Sequence, residues 1–95
     1  MPYAFVAQVQ FAEGADAELA QKMLESEVVP LVKSQPGFRN GIWCRNVDGK
    51  TGIGTAVFDT EANAKAAGET IRSQPQNPHA PAIVAAGVYE VVAET

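Results

Sequence analysis

The sequence predicts an α+β domain in which strands and helices follow one another as βαββαβ, with the four strands in one antiparallel sheet. Three observations predict it. Residues 3–11 alternate between a face of Tyr3, Phe5, Ala7, Val9 and Phe11 and a face of Ala4, Val6, Gln8 and Gln10, which is the period of a strand. Asp48-Gly49 falls between two further strand-like runs and is a strong signal for a tight hairpin. Leu19, Met23, Val28, Leu31 and Val32 recur at helical spacing before that hairpin, and an alanine-rich helical stretch follows it.

Taken in order, the first strand is broken by Ala12-Glu13-Gly14-Ala15, and Asp16 suits the N-cap of the first helix, with Glu18 favourable in its first turn. Pro30 lies inside this helix, where it removes a backbone hydrogen bond and kinks the last turns. Gln35-Pro36-Gly37 ends the helix, and a strand over 38–47 leads to the turn and a return strand over 51–59. A two-residue turn sets Val47 opposite Lys50, Arg45 opposite Gly52, Trp43 opposite Gly54 and Gly41 opposite Ala56. Thr60 caps a second helix, 61–73, whose buried face is Ala64, Ala67 and Ile71. Residues 74–81 hold Pro75, Pro78 and Pro81 and are expected to be irregular. A final strand over 84–93 completes the split βαβ, ferredoxin-like order.

With 95 residues, the chain is expected to be a single domain, 1–95, with a thin core. One cysteine, Cys44, makes no internal disulfide, and with a lone histidine it closes no structural zinc site, so no metal and no cofactor are expected. Seven basic residues scattered among eleven acidic ones do not form the basic patch that nucleic acid requires. No apolar run approaches the roughly 20 residues of a membrane span, and Met-Pro-Tyr-Ala-Phe lacks the basic start of a signal peptide. A cytoplasmic location is the expectation, with no nucleic-acid or membrane partner.

Hairpin register divides the sheet into two faces. Arg39, Trp43, Arg45, Gly54 and Phe58 fall on one, and Ile42, Cys44, Ile53 and Val57, with Asn40, Asn46, Thr51 and Thr55, on the other. The last strand is apolar on both sides, with Val84, Ala86, Val88 and Val92 against Ala85, Tyr89, Val91 and Ala93. Two helices cover only one face of such a sheet, and a solvated second face would be polar. Homodimerisation sheet to sheet is therefore expected, with Gln8, Gln10, Asn40 and Asn46 hydrogen-bonded across the seam.

The whole chain resembles the antibiotic-biosynthesis-monooxygenase-like domains of the dimeric α+β barrel group. The resemblance is carried by Glu27-Val28-Val29-Pro30, Pro36-Gly37-Phe38, Gly41, Trp43, Val57-Phe58-Asp59-Thr60-Glu61-Ala62 and Val88-Tyr89-Glu90-Val91-Val92-Ala93. It implies dimers packed through their sheets and, in enzymatic members, a pocket between the sheet and the helices of one subunit. Activities in the group include cofactor-independent oxygenation of aromatic and quinol-like substrates and haem degradation, and many members have no assigned role. The haem-degrading branch has an asparagine, a tryptophan and a histidine at places where this chain holds Ala7, Phe58 and Ala67. Without an imidazole there, haem iron has no proximal ligand and haem degradation is not expected.

Each candidate residue has a plain reading beside its functional one. Trp43 covers the gap left by strand glycines; alternatively, Trp43 and Phe58 are aromatic walls of a ligand pocket floored by Ala7, Gly52, Gly54 and Ala56. His79 is a solvated loop residue, or a general base beside Tyr3 or Tyr89 that deprotonates a phenolic substrate. Arg39 and Arg45 are solvated at strand ends, or one of them anchors an anionic or carbonyl oxygen. Cys44 reads as a small hydrophobe on the dimer face, and Glu27 as a solvated border of the buried stripe. If the protein is catalytic, the reaction expected is cofactor-independent oxidation of an aromatic or quinol-type molecule. Trp43, Phe58, Tyr3 and Tyr89 would then bind substrate, and Arg45 and His79 act on it. The alternative is a non-catalytic ligand-binding or stress-related dimer.

Overall fold

The computed structural model describes residues 1–75 and 80–95. Strand β1 (Tyr3–Gln10) is followed by a helical run made of α1 (Ala17–Met23), a π-helical turn (Leu24–Val28) and α2 (Val29–Lys33). Strands β2 (Phe38–Arg45) and β3 (Thr51–Phe58), helix α3 (Glu61–Arg72) and strand β4 (Ala82–Glu90) complete the βαββαβ order. The sheet runs β2-β3-β1-β4 with every neighbouring pair antiparallel, the ferredoxin-like topology expected.

Both helix starts use the caps expected of them. Asp16 Oδ1 accepts from the backbone N–H groups of Glu18 and Leu19 at 3.0 and 3.1 Å, and Thr60 Oγ1 accepts from Asn63 N–H at 3.1 Å. The first helical run departs from a simple kink. Pro30 has no N–H for the Ser26 carbonyl, and its ring would crowd that carbonyl in a regular α-helix. The turn before it widens to the π form, and Val29 N–H reaches back to the Leu24 carbonyl before α2 begins.

The core lies between the sheet and the helices. Phe58 is completely buried, and Phe5, Val32, Ala56, Ala64 and Ala67 pack around it. Full burial of a side chain like Phe58 contributes about 1.5–3 kcal/mol. Phe38 meets Phe58 edge to face, with ring centroids 6.0 Å apart. Small residues on α3 let it approach closely: a Cβ on Gly68 would stand 2.6 Å from Phe5 Cδ1.

The β2–β3 register is the one the sequence predicts, with Gly41↔Ala56, Trp43↔Gly54 and Arg45↔Gly52. The turn itself is wider than two residues. Asn46 N–H donates to the Thr51 carbonyl at 2.8 Å and Gly49 N–H to the Asn46 carbonyl at 2.8 Å. Only Gly49 has positive φ, +76°, whereas the tight turn expected would need it at Asp48 too. Asn46 and Asp48 side chains accept from the Asp48 and Lys50 N–H groups and hold the longer loop.

Arg39 also departs from its expected place on the helix-facing side. Phe38 and Gly41 both align with helix-facing residues of β3, Phe58 and Ala56, so one residue between them is in excess and the register shifts between Phe38 and Asn40. The irregularity frees Arg39 for Asp59 at 3.3 Å and Glu94 at 2.9 Å. The last strand ends at Glu90 and does not run on to 93. Val91 N–H still donates to the Pro2 carbonyl at 2.9 Å, but Pro2 has no N–H to return, and the ladder stops. The tail then reaches the far edge of the sheet, where Glu94 accepts from Arg39 and, at 3.0 Å, from Asn40.

Candidate functional site

The face of the sheet turned away from the helices carries Val6, Gln8 and Gln10 from β1, Ile42 and Cys44 from β2, Ile53 and Thr55 from β3, and Ala85 and Tyr89 from β4. Ile42, Val84 and Tyr89 are 61%, 58% and 59% exposed, while Ala4 and Val57, in the row crossed by the tail, are 6% and 8% exposed. A depression of about 390 Å³ opens on this face, lined by residues that include Gln8, Cys44, Arg45, Thr51, Ile53 and Val84.

The helix-facing side is different. Trp43 is half-buried, and its ring lies over two glycines at once: a Cβ on Gly54 would stand 2.9 Å from Cδ1, and one on Gly41 would stand 3.0 Å from Cη2. Beside it, Phe11 and Val9 lie over Gly52, where a Cβ would meet Phe11 Cε2 at 3.4 Å. The guanidinium of Arg45 sits 5.7 Å from the centre of the Phe11 ring, and Arg45 Nη2 is 3.5 Å from Gln21 Oε1 on α1. Phe11 and Gln21 were not singled out from the sequence. The alternation of β1 already sets Phe11 in one row with Ala7 and Val9, without a site role, whereas nothing in the sequence placed Gln21 beside β2.

The expected site residues separate into groups. Trp43 and Arg45 share this helix-facing corner of β2. Tyr3 and Phe58 are paired at the opposite end of the same side and belong to the core or its margin. Phe58 has no accessible surface, so it presents none to a ligand. Tyr89 pairs with Ala4 on the other face of the sheet. His79 lies outside the described residues. Cys44 is exposed on the face away from the helices, and Glu27 is exposed on the π turn.

Charge perturbations fall elsewhere. Hydrogen bonds to Asp59 and then Glu94 raise the pKa of Arg39 above its ordinary value, and the bond to Glu61 raises that of Lys65. Among the described residues no group of three metal-ligating side chains comes together, and no helix is long and apolar enough to cross a membrane.

No protein-family profile matches the chain, and no curated protein sequence does. Solved structures do match it over nearly its whole length. A haem-degrading protein from Mycobacterium tuberculosis with two haems bound has a TM-score of 0.67 at 20% identity, covering 98% of each chain. A cofactor-independent oxygenase from Streptomyces nogalater has a TM-score of 0.65 at 13% identity, covering 98% of this chain and 95% of that one. A monooxygenase from Streptomyces coelicolor in complex with nanaomycin D has a TM-score of 0.63 at 15% identity, covering 98% and 89%. The chain has the antibiotic-biosynthesis-monooxygenase-like fold.

The fold places the carried-over haem positions directly. Ala7 is on β1, Phe58 is sealed in the core, and Ala67 on α3 is buried against it. The methyl group of Ala67 offers no axial ligand to haem iron.

Proposed function

We propose that this protein is a small homodimeric oxygenase that oxidises an aromatic or quinol-type molecule without a cofactor. The observation that carries the reading is the aromatic corner on the helix-facing side, where Trp43 and Phe11 lie over Gly54 and Gly52 beside Arg45. The fold shared with two oxygenases supports the reaction class. In the balanced reaction of a phenolic ring one ring C–H and the phenolic O–H break, a quinone C=O forms at the oxidised carbon, and the second oxygen atom of dioxygen leaves as water. The substrate supplies all the electrons. The protein's part is to remove a proton, orient the resulting anion against the aromatic rings and exclude water.

In this reading Arg45 holds the developing oxyanion and Trp43 the ring, while His79 is assigned as the base. Tyr3 and Phe58 shape the core behind the site. A second copy covers the face of Ile42, Ile53, Val84 and Tyr89, because these large apolar side chains stand exposed together on it among the described residues. Oxygen uptake with a panel of hydroquinones, phenols and anthrones tests the activity. The wild type should exceed the Trp43→Ala and His79→Ala variants, and equal rates in all three would remove the catalytic claim.

One observation favours a non-catalytic ligand-binding dimer instead. The Trp43 ring already fills the space above Gly41 and Gly54, as a packing residue does. Under that reading the same panel binds without oxygen uptake.

A further inference from the structure

The two arginines of β2 are in opposite conditions. Arg39 is committed to two carboxylates, Asp59 and Glu94. Arg45 has no carboxylate within ion-pair distance among the described residues, in a chain with eleven acidic residues. Of its five N–H donors, one makes a contact, to Gln21 at 3.5 Å, a length at which a hydrogen bond contributes little. Lys22, Lys33, Lys50 and Arg72 also stand outside ion pairs, but among the described residues only Arg45 has an aromatic ring beneath it. The Phe11 ring thus holds the guanidinium in place through its face while leaving the donors open.

We infer that Arg45, Phe11 and Trp43 form a subsite for a planar aromatic anion, a carboxylate or phenolate, with Gln21 as its rim. This rests on the oxygenase reading for its location and adds the charge of the ligand. Gly52 and Gly54 are two residues apart on β3, about 6.6 Å along the strand, and Phe11 and Trp43 stand over them on one side of the sheet. A flat ligand stacks on that surface with its anionic edge toward Arg45. The planar fork of guanidinium then takes both oxygens of a carboxylate, displacing the weak contact to Gln21. Ala7, Gly52 and Gly54 keep the strand surface beneath the rings low, with Val9 reaching over Gly52 beside Phe11.

The test uses the indole N–H NMR signal of Trp43, the chain's only tryptophan, during titration with 4-hydroxybenzoate and with its neutral analogue 4-hydroxybenzamide. The benzoate should bind about tenfold more tightly, the size of one charge-assisted contact at a half-open site. Arg45→Gln should erase that preference while leaving amide binding unchanged, and Arg45→Lys should keep part of it. Equal affinities, a preference that survives Arg45→Gln, or no movement of the signal with either compound would each overturn the inference. The oxygenase reading is judged separately by oxygen uptake of the wild-type protein with neutral quinols, a readout that does not depend on the benzoate preference.

Discussion

Trp43 and Gly54 face each other across β2 and β3, and the indole occupies the space that a side chain at Gly54 would need. With 2.9 Å between a new Cβ and Trp43 Cδ1, Gly54→Ala forces the ring to shift. A loss of about 1–3 kcal/mol is expected in urea denaturation, the usual cost of overpacking. In a Trp43→Ala background the same substitution should cost much less, because the residue it displaces is gone.

Gly68 sets two effects of known size against each other. Alanine is the better helix former by about 1 kcal/mol. A Cβ there would also meet Phe5 Cδ1 and Cε1 at 2.6 and 2.7 Å, and Phe5 is buried between α3 and the sheet. Overpacking wins, and Gly68→Ala should destabilise by about 1–2 kcal/mol. An increase in the urea midpoint would contradict the close packing of α3 on Phe5.

The Arg39 clasp has a defined pH dependence. Hydrogen bonds to Asp59 and Glu94 raise its pKa in the folded state. A group raised in this way stabilises fully below its unfolded pKa and loses that contribution only as pH rises through the folded value. The Tm difference between wild type and Arg39→Gln should therefore stay constant from about pH 7 to about pH 10, far below the ordinary arginine value. It should shrink in about 1 M salt, where screening acts over roughly 3 Å. A difference that changes through the neutral to mildly alkaline range would assign the effect to another group.

Much of this architecture is legible in the residues. The alternation of β1, the caps Asp16 and Thr60 and the stripe Ala64, Ala67, Ile71 are local signals, and local signals fix element types. The register of β2 on β3 was also legible, since it needed only the position of the turn, not its form. What escaped depends on relations across the chain. The irregularity at Arg39 exists because Phe38 and Gly41 must both face the helices, and that follows from packing against Phe58 and Ala56. The end of β4 at Glu90 is decided by Pro2, just before β1 and almost ninety positions away in sequence. In the candidate site, Trp43 and Arg45 share a face by simple alternation. Their grouping with Phe11 and Gln21 required β1 and α1 to be placed in space.

The exposed apolar side chains of the face away from the helices also make a prediction about solution state. Lysine at both Ile42 and Ile53 should leave the fold intact by circular dichroism, because both side chains point away from the core. It should abolish self-association, since two such faces brought together would bury four unpaired charges.

Sedimentation equilibrium on the wild-type protein tests the central claim most directly, because the proposed site on the helix side presupposes that the opposite face is sealed by a second copy. The expected result is a particle of twice the 10.0 kDa chain mass, reduced to one chain by Ile42→Lys/Ile53→Lys. A wild-type particle of 10.0 kDa at tens of micromolar protein would contradict the account.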